Sequence, residues 1–349
     1  MRWRGFSFGL IILIILYLII RSVFTLLALL FEGEFSDGIP AREIRPANST
    51  STGPSLIPKI IHQTYKDNDI PTGWREAQQS CIDLHPDYKY ILWTDDMART
   101  FIATHYPWFL ETFEGYKYPI QRADSIRYFV LYHYGGIYID LDDGCNRKID
   151  PLLVYPAVLR RTVPIGISND VMGSIPQHPF FHSVIQKLQS CDHSFVLPYL
   201  TVLFSTGPTF LSIMWKEYTW TKPIGTDRVR VLMIPEYKHH SWSFFRHHLG
   251  NSWHQGDAHL VFWMWAHWPL VTLAGFAVLG LVGFCLWIVY SRLFLAGSRY
   301  YHRRYRYSMA ARATPPPSPI WWPRYLRRGR SLSWLATKPE ARDVYLDLA

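Results

Sequence analysis

"QRADSIRYFVLYHYGGIYIDLDDGC", residues 121–145, joins a helical pattern to a strand and closes on three carboxylates. Its first half carries apolar residues at helical spacing, and Gly135-Gly136 supply the stop. Ile137-Tyr138-Ile139 then reads as a short buried strand. Asp140, Asp142 and Asp143 end it, although carboxylates are depleted from strands and cores. In an open α/β sheet, ligands bind beyond the carboxyl ends of the strands, which is where this cluster falls. Strand residues two apart project to one side, so Asp140 and Asp142 are expected to converge. Convergent carboxylates suit a hard divalent cation, Mn²⁺ or Mg²⁺, that shares phosphate oxygens with a substrate. Asp143 is expected to begin a turn and to reach water, the acceptor, or the cation through a water. An ordinary Asp-Asp-Gly turn is the plain alternative for these letters alone.

Working outward, "LIPKIIHQTY" reads as a first buried strand, "GWREAQQSCIDLHP" as a helix ended by Pro86, and "YKYILWTD" as a second strand. "DDMARTFIATHY" is helical. Strands alternating with helices imply an open, mainly parallel α/β sheet. After Pro151 the pattern weakens: "VPIGISND" and "RVRVLMIP" read as strands, and "PFFHSVIQKLQSC" as a helix.

Two apolar segments flank this region. Residues 6–31 can cross a bilayer, with Arg21 as the interruption, and a cleaved signal peptide is the competing reading. Residues 268–290 carry no charge, contain glycines, and place Trp268, Trp287 and Tyr290 near the ends. The formal charge of +9 lies in the tail, where residues 291–349 hold 12 Lys/Arg against 3 acids. Residues 1–290 balance at 24 against 24, so no nucleic-acid face is implied. The positive-inside rule puts both termini in the cytosol and the intervening domain in a lumen, where the sequon at Asn48 is usable. The expected organisation is a cytosolic N-terminus and span (1–31), a lumenal stem (32–56) and a catalytic domain (57–255). A juxtamembrane segment (256–267), a second span (268–290) and a disordered basic tail (291–349) follow. Cys81, Cys145 and Cys191 allow at most one lumenal bridge, with three pairings open.

The run from "IPKIIHQTY" through "HPDYKYILWTDD" to "R-x-D-x-x-R-Y…GG-x-Y-x-D-x-D" resembles the glycosyltransferase family built around a D-x-D sugar-binding region. That family includes the fungal outer-chain α-1,6-mannosyltransferases. Within it the chain is most similar to the mannosyl-inositol-phosphorylceramide synthases, which also have a span on each side of the domain. The resemblance implies a GT-A-like (Rossmann-like) fold between two transmembrane helices. It implies that Asp140 and Asp142 hold the metal, usually Mn²⁺, with His248 as third ligand and His247 or His254 as substitutes. Asp124 resembles a ribose- or sugar-hydroxyl acceptor and Arg127 a cation facing the diphosphate or the sugar. A surface ion pair three residues apart is their plain alternative. Arg122 and Tyr138 are weaker candidates for the nucleotide sugar, as are His62 and Gln63 at the end of the first strand. Ser252 and Trp253 are expected at the diphosphate. Core packing is the competing role for Tyr138 and His62.

The implied reaction is retaining α-mannosyl transfer from GDP-mannose to inositol phosphorylceramide, by front-face attack without a dedicated base. It would take place on a multi-pass Golgi or ER/Golgi membrane. Membrane lipids and a membrane regulatory subunit are the further expected partners. An outer-chain N-glycan enzyme, a non-catalytic subunit of the same fold and a phosphohydrolase are the rivals.

Overall fold

The computed structural model of the chain describes residues 13–18, 20, 24–29, 37–44, 54–163, 165–237, 240–247 and 256–313. The chain divides into two units, Met1–His267 and Trp268–Ala349. In the first, strands β1 (Ile60–Thr64), β2 (Lys89–Trp93) and β3 (Gly136–Ile139) alternate with helices. These are α1 (Thr72–Leu84), α2 (Asp95–His105), α3 (Pro107–Gly115) and α4 (Pro119–Tyr134). Then come β4 (Asp143–Cys145), β5 (Ala157–Arg161), β6 (Ile167–Ser174), α5 (Pro179–Leu188), α6 (Pro198–Ser205), α7 (Pro208–Trp220), β7 (Val229–Leu232), β8 (Phe245–His247) and α8 (Gly256–Ala266).

Six strands form one sheet in the order β2-β1-β3-β6-β5-β7, and β4 pairs separately with β8. β1 runs parallel to β2 and β3, and β5 parallel to β7, while β6 is antiparallel to both its neighbours. The sheet is therefore mixed, with parallel pairings in the majority. The reversal of β6 brings its first residues to the edge where β1, β3 and β5 end. Asn169 and Asp170 reach the site because of that.

Both faces of the sheet are covered, as a mostly parallel sheet requires. Tyr138, Leu159 and Met172 pack under α2–α5 and α7, whereas Ile137, Ile139, Val158 and Val171 pack on the opposite side with Ile57, Cys81 and Cys145. Side-chain alternation along β3 thus fixes which layer each residue meets. Gly136 is needed at the junction of α4 and β3: its φ is +97°, and a Cβ there would lie 2.7 Å from the carbonyl of Ile60.

Part of the expected stem belongs to the domain. Asp37–Ile39 extends the edge beside β7, with the amide of Ile39 bonded to the carbonyl of Val231 (2.8 Å), and Ile39 and Ile44 are buried. The first apolar segment is helical where described, at 13–18, 20 and 24–29; its Leu29 is buried in the core. The second unit is helix α9 (Trp268–Ala313), whose Trp268–Leu293 stretch has a mean hydropathy of 2.3. It is the one helix among the described residues long and apolar enough to span a bilayer, against the two expected. Helix α9 also continues well past 290, so residues 291–313 are helical where an unstructured tail was expected.

Candidate functional site: an acidic cavity beyond strand β3

A cavity of about 740 Å³ opens at the carboxyl edge of β1 and β3. Its wall holds five carboxylates (Asp95, Asp124, Asp140, Asp142, Asp170) against three bases (Lys66, Arg122, Arg127). That imbalance attracts a cation.

Asp140 leaves β3 on the same face as Tyr138, toward α4. There the Tyr138 hydroxyl donates to its Oδ1 over 2.6 Å, and Arg127 Nη1 lies 3.1 Å from the same oxygen. Because the Tyr138 proton goes to Asp140, Thr64 Oγ1 must be the donor to the Tyr138 oxygen at 2.9 Å. Both of these contacts fall on Oδ1, which leaves Oδ2 for a ligand. Burial raises the Asp140 carboxyl above its usual range, Arg127 opposes this, and the nearby Asp170 adds to it.

Asp124 and Arg127 form the expected pair at 3.0 Å, but in the interior rather than on the surface. Asp124 also accepts from Asn169 (2.9 Å) and Thr206 (3.0 Å), and burial lifts its carboxyl to about 6. The Arg127 guanidinium is spent inside the protein: Nε donates to the Ala123 carbonyl, Nη1 to the Asn169 carbonyl (2.7 Å), and Nη2 faces Asp124. It also lies 4.6 Å from the Tyr138 ring centroid. In this arrangement Arg127 orients Asp140 rather than offering donors to a substrate.

The D-x-D geometry differs from the strand-based expectation. β3 stops at Ile139, and the Asp143 amide bonds the Asp140 carbonyl (3.0 Å), closing a turn over Asp140–Asp143. Asp142 therefore reaches the cavity wall from a turn and not by the two-residue period of a strand. Asp143 ends this turn. It is fully buried and paired with Arg160 at 2.8 Å, so it faces neither water nor the acidic cavity.

Other expected nucleotide contacts lie elsewhere. His62 Nε2 donates to the Gly135 carbonyl (2.8 Å) and Nδ1 accepts from Trp93 Nε1 (3.0 Å), so the ring is a neutral core group away from the cavity. Burial holds its pKa down at about 4. Gln63 is buried too; its Oε1 accepts from Tyr90, and its Nε2 reaches the Asp140 carbonyl at 3.5 Å. Tyr138 lies wholly inside, beneath Asp140. Arg122 does line the cavity, with a long bond to the Tyr116 carbonyl (3.4 Å). His248, Ser252, Trp253 and His254 lie outside the described residues, as does the His247 side chain; the His247 backbone pairs with Asp143 between β8 and β4.

Asn169, Asp170 and Arg160 were not foreseen. The Asp140 amide donates to the Asp170 carbonyl (2.8 Å), extending the β3–β6 ladder by one rung, and Arg160 binds both Asp143 and Asp170. Among the described residues no group of three or more His, Cys, Asp or Glu is gathered as a complete metal set. Two hard carboxylates at a cavity with excess negative charge nevertheless fit Mg²⁺ or Mn²⁺, which take one or two carboxylates and complete their shell with phosphate oxygens and water.

Residues 71–159 match the family described as "Glycosyltransferase sugar-binding region containing DXD motif". The chain is 55% identical over 249 residues to mannosyl phosphorylinositol ceramide synthase SUR1 of Saccharomyces cerevisiae, covering 71% of this chain and 65% of that protein. It is 50% identical over 271 residues to inositol phosphoceramide mannosyltransferase 2 of Schizosaccharomyces pombe, covering 76% of each. With the initiation-specific alpha-1,6-mannosyltransferase of S. cerevisiae it shares 33% over 102 residues, 27% of this chain and 21% of that one. The chain belongs to the DXD-containing glycosyltransferase family, in the branch that includes the inositol phosphoceramide mannosyltransferases.

Proposed function

We propose that the chain transfers mannose from GDP-mannose to inositol phosphorylceramide with retention of configuration. The observation that carries this reading is the surplus of carboxylates around Asp140 and Asp142 at the strand-end cavity. Asp140 and Asp142 would hold Mn²⁺ or Mg²⁺, whose chemistry there is to neutralise the departing nucleoside diphosphate. Arg127, Tyr138 and Thr64 hold Asp140 in place before substrate arrives, so little reorganisation is left for the reaction itself. Arg122 and Lys66 line the same cavity and supply donors toward phosphate oxygens. Asp124 is engaged by Arg127, Asn169 and Thr206, which argues against it as the nucleophile of a covalent intermediate. Front-face attack, with the departing phosphate taking the acceptor proton, needs no further base from the chain.

A lipid acceptor is favoured over an N-glycan because similarity to the lipid-named relatives extends over most of the chain, whereas that to the glycan-named one stops at 102 residues. The Cys81–Cys145 disulfide supports an oxidising lumen for the domain; a Golgi membrane crossed twice, with both termini in the cytosol, is the topology proposed with it. The test compares purified wild type with Asp142→Ala, given GDP-mannose, Mn²⁺ and inositol phosphorylceramide. Mannosylated lipid from wild type alone is expected. Equal product from both would end the D-x-D assignment, and product only on oligomannose would move the acceptor to glycans. Protease digestion of the tail in opened but not sealed vesicles would overturn the topology.

A further inference from the structure

Residues 194–205, from the end of the α5–α6 connection through α6, carry no charged side chain, and neither do residues 258–268, which run from α8 into α9. At the tip of the connection Val196 is 98% exposed and its neighbour Phe195 44%, although both side chains gain by leaving water. On α8, Leu260, Trp263 and Met264 are exposed as well. Their spacing of three and four places them on one face of the helix. Phe262 turns the other way, toward the protein, where its ring meets Tyr199 edge-on at 5.8 Å.

Two hydrogen bonds hold these apolar elements together. The Tyr199 amide stands at the second position of α6, where a helix leaves its amides without an internal partner. Asp257, in the first turn of α8, accepts it over 2.7 Å. Thr201 Oγ1 accepts from the Phe195 amide over 2.9 Å and folds the connection back on α6. The exposed tip and α8 are thereby fixed to the same end of one short helix. Val202 of that helix and Pro208, which opens the next, both line the acidic cavity.

The chain beyond α8 says what covers this surface. α8 ends at Ala266, and the apolar stretch Trp268–Leu293 begins two residues later. Two residues reach about 7 Å at most, so the end of α8 stays at the surface of any bilayer that this stretch crosses. Trp263, stacked on His267 at 4.7 Å, joins an apolar ring to a polar edge, which is the chemistry of the headgroup boundary.

We propose that Phe195 and Val196, with the Leu260, Trp263 and Met264 face of α8, form one docking surface for a lipid bilayer at the boundary of headgroups and acyl chains. The acidic cavity, walled in part by the same α6, is then held at the depth where a lipid headgroup emerges. This rests on reading Trp268–Leu293 as a span, and not on the identity of the acceptor.

The test uses the full chain in phosphatidylcholine nanodiscs whose acyl chains are brominated either near the headgroup or near the bilayer centre. Cys191→Ala and Cys285→Ala remove the two free thiols. One cysteine is then introduced for a bimane label: Val196→Cys, Leu260→Cys, Leu281→Cys or Glu76→Cys. Leu281 lies in the apolar stretch, and Glu76 on α1, in the layer opposite to α4 and α7. Shallow bromines should quench the labels at positions 196 and 260, deep bromines the label at 281, and neither the label at 76. In Phe195→Ser, Val196→Ser the KM for bilayer-borne inositol phosphorylceramide should rise roughly tenfold, with the KM for the nucleotide sugar unmoved. Phe195→Leu, Val196→Leu should keep the wild-type values. Quenching at 281 without quenching at 196 and 260 overturns the docking surface and leaves the span standing, whereas no quenching at any of the three overturns both. Labels at 196 and 260 that lipid does not quench but that are shielded from iodide, in discs holding two copies by mass, assign the surface to a second copy and overturn the lipid. An unmoved lipid KM in the serine variant overturns the placement of the cavity. If wild type glycosylates only oligomannose, the proposed reaction fails, and the quenching still judges the surface.

Discussion

Asp140 and Asp170 stand opposite one another across the last rung of the β3–β6 pair, the amide of one bonded to the carbonyl of the other over 2.8 Å. Directly opposed residues of antiparallel strands bring their side chains to one face, and like charges there repel. The chain answers each carboxylate with its own arginine, Arg127 for Asp140 and Arg160 for Asp170. A cation between substrate phosphate and this edge would ease the remaining repulsion.

Asp170→Asn should therefore weaken the response to metal more than it harms the fold. The Mn²⁺ concentration for half-maximal transfer is expected to rise roughly ten- to a hundredfold, the usual penalty for altering a group that supports a metal ligand. A titration curve indistinguishable from wild type would show that Asp170 does not act on the cation.

Arg127 is the more costly residue to lose. Removing it leaves the buried Asp124 and the cavity-lining Asp140 without their shared cation, and breaking a buried pair such as Arg127–Asp124 costs about 3–5 kcal/mol. Arg127→Met should lower the thermal midpoint sharply and abolish transfer. Arg127→Met with Asp124→Asn should regain part of the stability while remaining inactive, because Asp140 stays unanchored. Recovery of activity in the double variant would contradict the anchoring role.

Apart from α3 (Pro107–Gly115), the helices and strands from Ile60 to Ile139 were legible because apolar periodicity, Pro86 and the Gly135-Gly136 stop mark their limits. Asp140 and Asp142 were legible from the end of the strand, although a turn and not the strand's period carries Asp142 to the cavity, whereas Asp124 and Arg127 came with the family resemblance. Asn169 and Asp170 were not legible, since "ISND" gives no cue to strand direction, and only the antiparallel entry of β6 turns its first residues toward Asp140. His62 shows a different limit. A histidine after two isoleucines reads alike as a ligand contact or a core group, and Trp93, 31 positions away, decides for the core.

The disulfide makes a stability prediction. Cys81 in α1 and Cys145 in β4 close a separation of 64 residues and tie the strand after the D-x-D turn to the opposite layer. Chain-entropy arguments assign a loop of that size about 4 kcal/mol. Cys81→Ser should lower the thermal midpoint of the purified domain. Wild type under strong reductant should fall to the same value, whereas the variant should not respond. A reductant effect that persists in Cys81→Ser would point to another thiol.

Acid should destabilise the domain through two interior histidines. Burial holds both His62 and His178 at about 4, against 6.5 for an exposed imidazole. The unfolded chain then takes protons first. Stability is complete above pH 6.5 and drains away as the pH falls toward 4, by about 3 kcal/mol per residue. Asp124 works in the other direction: raised to about 6, it is protonated more readily in the folded state, so acidification from 6 toward 3.8 returns about 3 kcal/mol. Asp140 and Asp170, also raised by burial, act with Asp124, while His85 and His133, also lowered by burial, act with His62 and His178. The measurement that separates them is how each variant changes the slope of the thermal midpoint in detergent between pH 7 and 4.5. His62→Gln should flatten that slope and Asp124→Asn should steepen it, whatever each does to the midpoint at pH 7. A slope in His62→Gln equal to that of wild type would mean that His62 takes its proton as readily in the folded chain as in the unfolded one. The Trp93–His62 bond would then have to give way on acidification, because a protonated ring cannot accept it.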